Sequence, residues 1–240
     1  MLVFGIQQLA YGTFARWLAK APAWLPLPQI WPYVTGIAFV VCAAAILLRK
    51  EARKAALVLS AMILAMAVLL HPFEIAANPG VLDLWARACK VVALSGAAAL
   101  VAGSLHKEPG IARLEWLVPL GPFFLASFFL IGGIEHFVYA RFVVQMIPAW
   151  IPAHTFFTYF TGTALLAGGI GILIPRVSRL AGTLVGLMIF SWVLLLHIPK
   201  ALADLHKVVE TTATFEALAL SGAAFLTAGI RNKNADAKTH

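Results

Sequence analysis

The chain has little charge and little cysteine. Only 12% of its 240 residues are charged, against 62% hydrophobic residues, and this balance excludes an ordinary soluble domain. The two cysteines, Cys42 and Cys89, form neither a CxxC motif nor a metal-ligand spacing. We therefore interpret them as small apolar filler, and we predict neither thiol chemistry nor a metal site.

Long hydrophobic runs are present instead, rich in Ala, Leu, Gly and Val. They are long enough to cross a bilayer as helices, and the period-2 alternation of barrel strands is absent. We predict an all-α, polytopic membrane helix bundle with about eight transmembrane helices, at about residues 2–18, 31–48, 55–71, 86–104, 115–139, 156–174, 180–197 and 212–230.

The net charge of +8 predicts a topology rather than a nucleic acid partner, because the basic residues form no single patch. The positive-inside rule places segments rich in Lys and Arg in the cytoplasm, together with both termini, and makes the lipid bilayer the expected partner. Eleven of the eighteen basic residues fall in alternate loops and the C-terminal tail: Arg49, Lys50, Arg53, Lys54, Lys107, Arg113, Arg176, Arg179, Arg231, Lys233 and Lys238.

One four-helix pattern occurs twice, about 126 residues apart. ALSGAAALVAG at 93–103 and ALSGAAFLTAG at 219–229 agree at nine of eleven positions, and an upstream block beginning at Gly5 matches one beginning at Gly133. An even number of helices per copy predicts parallel repeats, related by a pseudo-two-fold axis along the membrane normal. The predicted domains are a first unit (1–104), a cytoplasmic linker (105–114), a second unit (115–230) and a cytoplasmic tail (231–240).

The sharpest difference between the units is Glu135-His136, which replaces Gln7-Gln8 of the first unit. A carboxylate beside an imidazole can move protons, so Glu135 and His136 are the catalytic candidates. Tyr139 shares their helix face, and adjacent helical residues point about 100° apart, so we do not expect both candidates to face one ligand directly. Arg141 follows and could neutralise Glu135. The alternative to a catalytic role is that these residues form a hydrogen-bond network that stabilises the end of the helix.

Other polar residues also gather on the side opposite the basic loops, namely His71, His136, His154, His197, His206, Glu74, Asp83, Asp204, Glu210 and Glu216. His71 and His197 are equivalent, and each precedes a proline, Pro72 or Pro199, that we expect to end its helix. The pair could ligate haem on the axis, but interfacial histidines need no ligand and haem is not expected.

Opposite charges stand at two pairs of equivalent positions. Glu74 corresponds to Lys200, and Lys90 corresponds to Glu216. A residue near a two-fold axis meets its own symmetry mate, so opposite charges there can pair. We predict a structural ion pair between Lys90 and Glu216.

Four motifs of the second unit, GIEHFVY (133–139), PAWIP (148–152), YFTG (159–162) and LLLHIPK (194–200), resemble the DoxX-like family of small membrane proteins. The first unit resembles it too, so the chain looks like a tandem duplication. The resemblance implies four-helix bundles in the bacterial inner membrane and a redox or quinone-associated setting, since relatives include subunits of thiosulfate:quinone oxidoreductase. The matched polar positions are Glu135, His136, Tyr139, Tyr159, Thr161, His197 and Glu216.

Three functions remain open, and so does the question of whether the chain is an enzyme. The first is a redox-associated membrane subunit that binds a quinone or lipid-like ligand in the outer half of the membrane. The second is an accessory or scaffold subunit of a larger membrane complex, with other membrane subunits as partners and no catalysis. The third is a small-molecule carrier. The predicted ligand-binding residues are Tyr139, Arg141, Tyr159, His197, Lys200 and His71.

Overall fold

The computed structural model describes residues 1–15, 17–18, 24–204 and 207–236, the last seven by backbone alone. His206 and Lys238, both used in the sequence arguments, lie outside these ranges. Every regular element within them is helical: α1 (Leu2–Tyr11), α2 (Trp31–Leu47), α3 (Ala52–Ala77), α4 (Leu82–Ser104), a 3₁₀ turn (Ala112–Leu114), α5 (Leu117–Val138), α6 (Ala140–Met146), α7 (His154–Leu173), α8 (Ser178–Trp192), a π segment (Val193–His197), α9 (Ile198–Ala203) and α10 (Val208–Asp236).

Among the described residues, five helical segments are long and apolar enough to cross a membrane: Ala52–Ala77, Leu82–Ser104, Ala112–Val138, His154–Leu173 and Ser178–Ala203. They overlap five of the predicted spans, and the all-helical class with several potential membrane spans is confirmed. Two further helices, α1 and α2, are apolar but shorter. The predicted span at 212–230 lies within α10.

The first helix is shorter than the predicted span of residues 2–18. It ends at Tyr11 because Gly12 adopts a left-handed conformation with φ 62°, and the Gly12 N–H closes the helix on the Gln8 carbonyl. Only glycine enters this region without steric cost. A side chain at this position would also meet the Tyr33 hydroxyl, because an added Cβ would lie 2.6 Å from that oxygen.

The prediction that Pro72 and Pro199 end their helices is wrong. Pro72 lies inside α3, which continues to Ala77, and Pro199 lies in the first turn of α9. Proline is tolerated in the first helical turn because that N–H has no intrahelical partner. Near the end of a membrane helix, water and local adjustment can satisfy the carbonyl that proline leaves free.

The helices of each unit pack in the same sequential order. α1 contacts α2, α2 contacts α3 and α3 contacts α4, while α5 contacts α7, α7 contacts α8 and α8 contacts α10. The helix α4 joins the two sets because it contacts both α5 and α10. The cavity described below lies where α4 meets the second set.

Small residues allow these close contacts. A Cβ added at Gly133 would lie 2.9 Å from the Gly162 carbonyl oxygen, and one at Gly5 would lie 2.7 Å from that of Gly36. The two contacts involve residues aligned by the repeat. Neither leaves room for a methyl group, so glycine sets the helix spacing.

A second pair of aligned contacts is polar. The Ser95 hydroxyl donates to the Ser60 carbonyl at 2.8 Å, and the Ser221 hydroxyl donates to the Gly186 carbonyl at 2.9 Å. The two donor residues are 126 positions apart in the sequence, and so are the two acceptor residues. In both units this hydrogen bond joins the third long helix to the fourth.

The linker between the units is fixed by Arg53 at the start of α3. Its guanidinium binds the Glu115 carboxylate through two nitrogens, at 2.6 and 3.1 Å, and donates to the Ala102 carbonyl at 2.5 Å. The Arg53 backbone N–H donates to Glu108 at 3.2 Å, which places a carboxylate at the helix N-terminus, where it is favourable. Arg53 is 8% exposed, so these bonds are sheltered from water.

We expect Arg53→Lys to destabilise the fold because lysine cannot form the two-pronged contact with Glu115. The expected loss of unfolding free energy is about 1–3 kcal/mol, typical of hydrogen bonds to charged groups. Denaturant titration in detergent measures it. Arg113→Lys, at an exposed linker position, is the matched control and should change stability by less than about 0.5 kcal/mol; equal losses in both variants would contradict the assigned role.

Candidate functional site

A cavity of about 740 Å³ lies in the second unit. Its walls come from α5, α6, α7, α8, the π segment and α10, and α4 closes one side. Most of the lining is apolar, and the volume falls within the range of about 300–1,000 Å³ typical of small-molecule sites. Six aromatic side chains contribute to it: Phe128, Phe129, Tyr139, Phe142, Phe157 and Trp192.

Four of the sequence-predicted site residues line this cavity together. Glu135, His136 and Tyr139 come from the end of α5, and His197 comes from the π segment. Glu135 and His136 both line this cavity, although adjacent helical residues point about 100° apart, and the expectation that they do not face one ligand directly stays a prediction. The structure therefore brings the divergent pair and one of the equivalent histidines to a common space.

The ring of His136 is held by its own helix. Its Nδ1 lies 2.7 Å from the Gly132 carbonyl oxygen, and since a carbonyl only accepts, Nδ1 carries the proton. In the neutral ring Nε2 is then a hydrogen-bond acceptor. The His136 Cβ also packs against Gly162, where an added Cβ would lie only 2.7 Å away, so α7 fixes the side chain from the other side.

The ion pair predicted between Lys90 and Glu216 is present and lines the same cavity. The Lys90 Nζ lies 2.9 Å from a Glu216 carboxylate oxygen, and the two side chains are 27% and 11% exposed. Lys90 also sits over the Phe128 ring, 5.7 Å from its centroid. Each residue is eight positions into its helix, α4 or α10, which corresponds to about 12 Å along the axis.

Two other predicted ligand-binding residues lie away from the cavity lining, on the surface of the second unit. Arg141 is exposed on α6, and no ion pair joins it to Glu135 among the described residues. Tyr159 is 43% exposed and packs on Phe137, with 5.5 Å between the ring centroids.

Lys200 lies at the edge of the site rather than in its lining. Its Nζ donates to the Met146 carbonyl at 3.0 Å, at the end of α6. Met146 itself lines the cavity together with Phe142 and Val143 of the same short helix. Lys200 therefore positions the segment that covers the cavity, and the favourable place of a cation at a helix C-terminus adds to this contact.

His71, the counterpart of His197, is buried in the first unit, where it is 2% exposed. Within the described part of the chain, its Nε2 has no hydrogen-bond partner. Glu74, three residues on, lies 3.5 Å from Arg87. The two equivalent histidines thus differ: one faces the cavity and the other is enclosed by the core.

Aromatic side chains fill the corresponding region of the first unit. Phe4, Trp17 and Phe39 form a cluster there and are 0–2% exposed, with ring centroids 5.7 and 6.1 Å apart. The repeat alignment places Gly132 opposite Phe4 and Leu165 opposite Phe39. A Cβ added at Gly132 would meet one atom, at 4.0 Å, so the missing side chain leaves open space.

Several residues of the site were missed by the sequence reasoning. The π segment, which brings Leu196 to the lining beside the predicted His197, has no signal in the local sequence. The difference between Gly132 and its aligned residue Phe4 is the sequence signal that would have indicated the cavity. Among the described residues, no group of three or more His, Cys, Asp or Glu side chains is arranged to hold a metal ion.

Breaking the Lys90–Glu216 pair on one side should destabilise the protein. We expect Lys90→Met or Glu216→Gln to cost about 2–4 kcal/mol of unfolding free energy, because each leaves a largely buried partner unpaired. The double variant Lys90→Met/Glu216→Met should recover most of this loss, and the swapped pair Lys90→Glu/Glu216→Lys should retain the contact.

Denaturant titration in detergent measures these differences. The exposed pair Lys54–Glu51, whose side chains are 40% and 64% exposed, is the control, and Lys54→Met should cost about 0–1 kcal/mol. A swapped pair no more stable than the single variants would contradict the argument that the charges act through each other.

Comparison with known proteins gives one finding, and it concerns the second unit. A family model described as a domain of unknown function (DUF8561) matches residues 125–228. The match begins inside α5 and ends inside α10, so it includes most of the cavity wall but not Asp83 and Lys90 of α4. No curated protein and no solved structure matches the chain.

Proposed function

We propose that the chain is a bacterial inner-membrane protein with eight transmembrane helices. These form two parallel four-helix repeats about a pseudo-two-fold axis along the membrane normal, and both termini are cytoplasmic. The basic loops support the orientation through the positive-inside rule. The equivalent packing order of the two units and the aligned serine hydrogen bonds support the repeat.

The Lys90–Glu216 contact also supports a two-fold axis. Residues 126 positions apart meet directly, as symmetry mates do near an axis. The helices that carry them, α4 and α10, are the equivalent fourth helices of the two units. In this arrangement the axis passes between α4 and α10.

We further propose that the second unit binds a quinone-like or lipid-like ligand in the outer half of the membrane. The observation that carries this proposal is a cavity that combines an aromatic, apolar body with the polar groups of Glu135, His136, Tyr139 and His197. Such a lining accepts a hydrophobic molecule and orients its polar end. The resemblance to DoxX-like proteins supports a redox-associated setting with other membrane subunits as partners.

The polar residues have distinct roles in this proposal. His136 accepts a hydrogen bond at Nε2, because Nδ1 is engaged with Gly132. The Tyr139 hydroxyl and the His197 ring are positioned to hold a carbonyl or hydroxyl of the ligand. Glu135 is the group that gives or takes a proton, since carboxylates near a reacting oxygen commonly do so.

A carrier is the second candidate, and the π segment favours it. Val193–His197 interrupts regular α-helix beside the cavity, and π turns are frequent at functional sites. Transporters likewise use interrupted helices where substrate binds. An accessory subunit without its own ligand is the outcome expected if the cavity holds only bulk lipid.

Filling the cavity tests the proposed ligand site. Gly132→Phe places in the second unit the side chain that Phe4 supplies in the first, and we expect it to abolish co-purification of the ligand. Gly132→Ala is the matched control, since a Cβ there meets only one atom, at 4.0 Å, and it should retain the ligand.

The measurement is mass spectrometry of lipids and quinones extracted from protein purified in mild detergent, with a visible spectrum recorded beforehand. We expect one species in near-stoichiometric amount that is depleted in the Phe variant. The same mixture of membrane lipids in all three proteins would overturn the ligand site and favour the accessory function.

A further inference from the structure

The cavity lining contains more acidic than basic side chains. Three carboxylates line it, from Asp83, Glu135 and Glu216, against one ammonium group, that of Lys90. With neutral histidines and all three carboxylates ionised, the lining carries a net charge of −2, since one positive charge offsets one of three negative charges. Including the adjoining Arg87 and Glu74, which contact each other at 3.5 Å, adds one charge of each sign and leaves the balance unchanged.

Glu135 is the carboxylate in this lining that forms no direct ion pair among the described residues; the nearby Lys90 ammonium pairs with Glu216 instead. Glu216 binds Lys90 at 2.9 Å and Asp83 binds Arg87 at 3.2 Å. Within the described residues, no hydrogen bond or ion pair engages the Glu135 side chain. An ionised group half-buried against aromatic rings is costly unless something neutralises it.

The surroundings of Glu135 suit a positive charge with apolar substituents. Phe128, Phe129, Phe157 and Trp192 line the same space, and aromatic faces attract cations through their quadrupole. The protein uses this attraction itself, because the Lys90 ammonium sits over the Phe128 ring. An anionic head group, by contrast, would meet the excess negative charge.

We propose that the ligand is an amphiphile with one positive charge, a lipophilic amine or quaternary cation, whose cationic centre pairs with Glu135 while its apolar body lies along the aromatic wall. This rests on the proposed ligand site and narrows its ligand to the lipid-like class: a cationic amphiphile takes the place of a quinone, and Glu135 acts as its counter-ion without proton transfer. The bound cation supplies the direct ion pair that Glu135 lacks, and the apolar walls exclude strongly hydrated cations such as sodium. The first unit cannot bind the same molecule. It has neutral Gln7 in place of Glu135, and the cluster of Phe4, Trp17 and Phe39 fills the corresponding space.

The test uses the full-length protein in nanodiscs of zwitterionic phosphatidylcholine and three probes of similar bulk. Tetraphenylphosphonium is the cation, tetraphenylborate is the anion of nearly the same shape, and triphenylphosphine oxide is a neutral hydrogen-bond acceptor. Empty nanodiscs correct for partitioning into lipid. Binding is measured by equilibrium dialysis, and a short-chain quinone is titrated in parallel.

We expect saturable binding of tetraphenylphosphonium, weakened at least tenfold by Glu135→Gln, partly restored by Glu135→Asp and abolished by Gly132→Phe. Glu210→Gln removes a carboxylate at the start of α10 that does not line the cavity; it should change the affinity less than twofold. Tetraphenylborate should show no saturable binding.

The outcomes separate this inference from the proposed function. Saturable binding of the quinone or the neutral probe that Gly132→Phe abolishes, without binding of the cation, overturns the cationic class and leaves the ligand site standing. An equal loss of cation binding in Glu135→Gln and Glu210→Gln also overturns the cationic class. The loss would then come from a long-range change in charge rather than from a direct contact with Glu135. No saturable binding of any probe overturns both.

Discussion

The contact between Lys90 and Glu216 is the interaction on which the arrangement of the two halves depends. Each charge lies about two turns into an apolar helix, where it is expensive alone. The 2.9 Å pair joins α4 of the first unit to α10 of the second, and it also forms part of the cavity wall. A change to this ion pair therefore affects both the packing of the two halves and the charge of the cavity wall.

The two halves of the chain differ in how their interiors are filled. The first unit packs Phe4, Trp17 and Phe39 into its interior and gains the stability of a filled core. The second unit has Gly132 where Phe4 would stand and keeps the space open. The helix α4 contacts both halves, so the well-packed half also forms one wall of the open space in the other half.

The sequence predicted the helices, the polar end of the site and the central ion pair, because these follow from hydropathy, helical spacing and the comparison of the two units. The predictions of helix ends failed where the backbone conformation at one residue determines whether the helix continues. Gly12 shortened α1 through its left-handed conformation, and α3 continued through Pro72. The π segment that turns His197 into the cavity has no periodic signature, since it depends on how α8 packs against its neighbours.

The open space itself argues for an occupant. The cavity of about 740 Å³ is partly open, so lipid or water can enter it, and its apolar walls favour an apolar occupant. Water alone suits the polar end, where Glu135 and the histidines lie, but not the rings of Phe129, Phe157 and Trp192. A molecule that is apolar along most of its length and polar at one end satisfies both surfaces at once. The charge balance of the lining then decides the sign of that end.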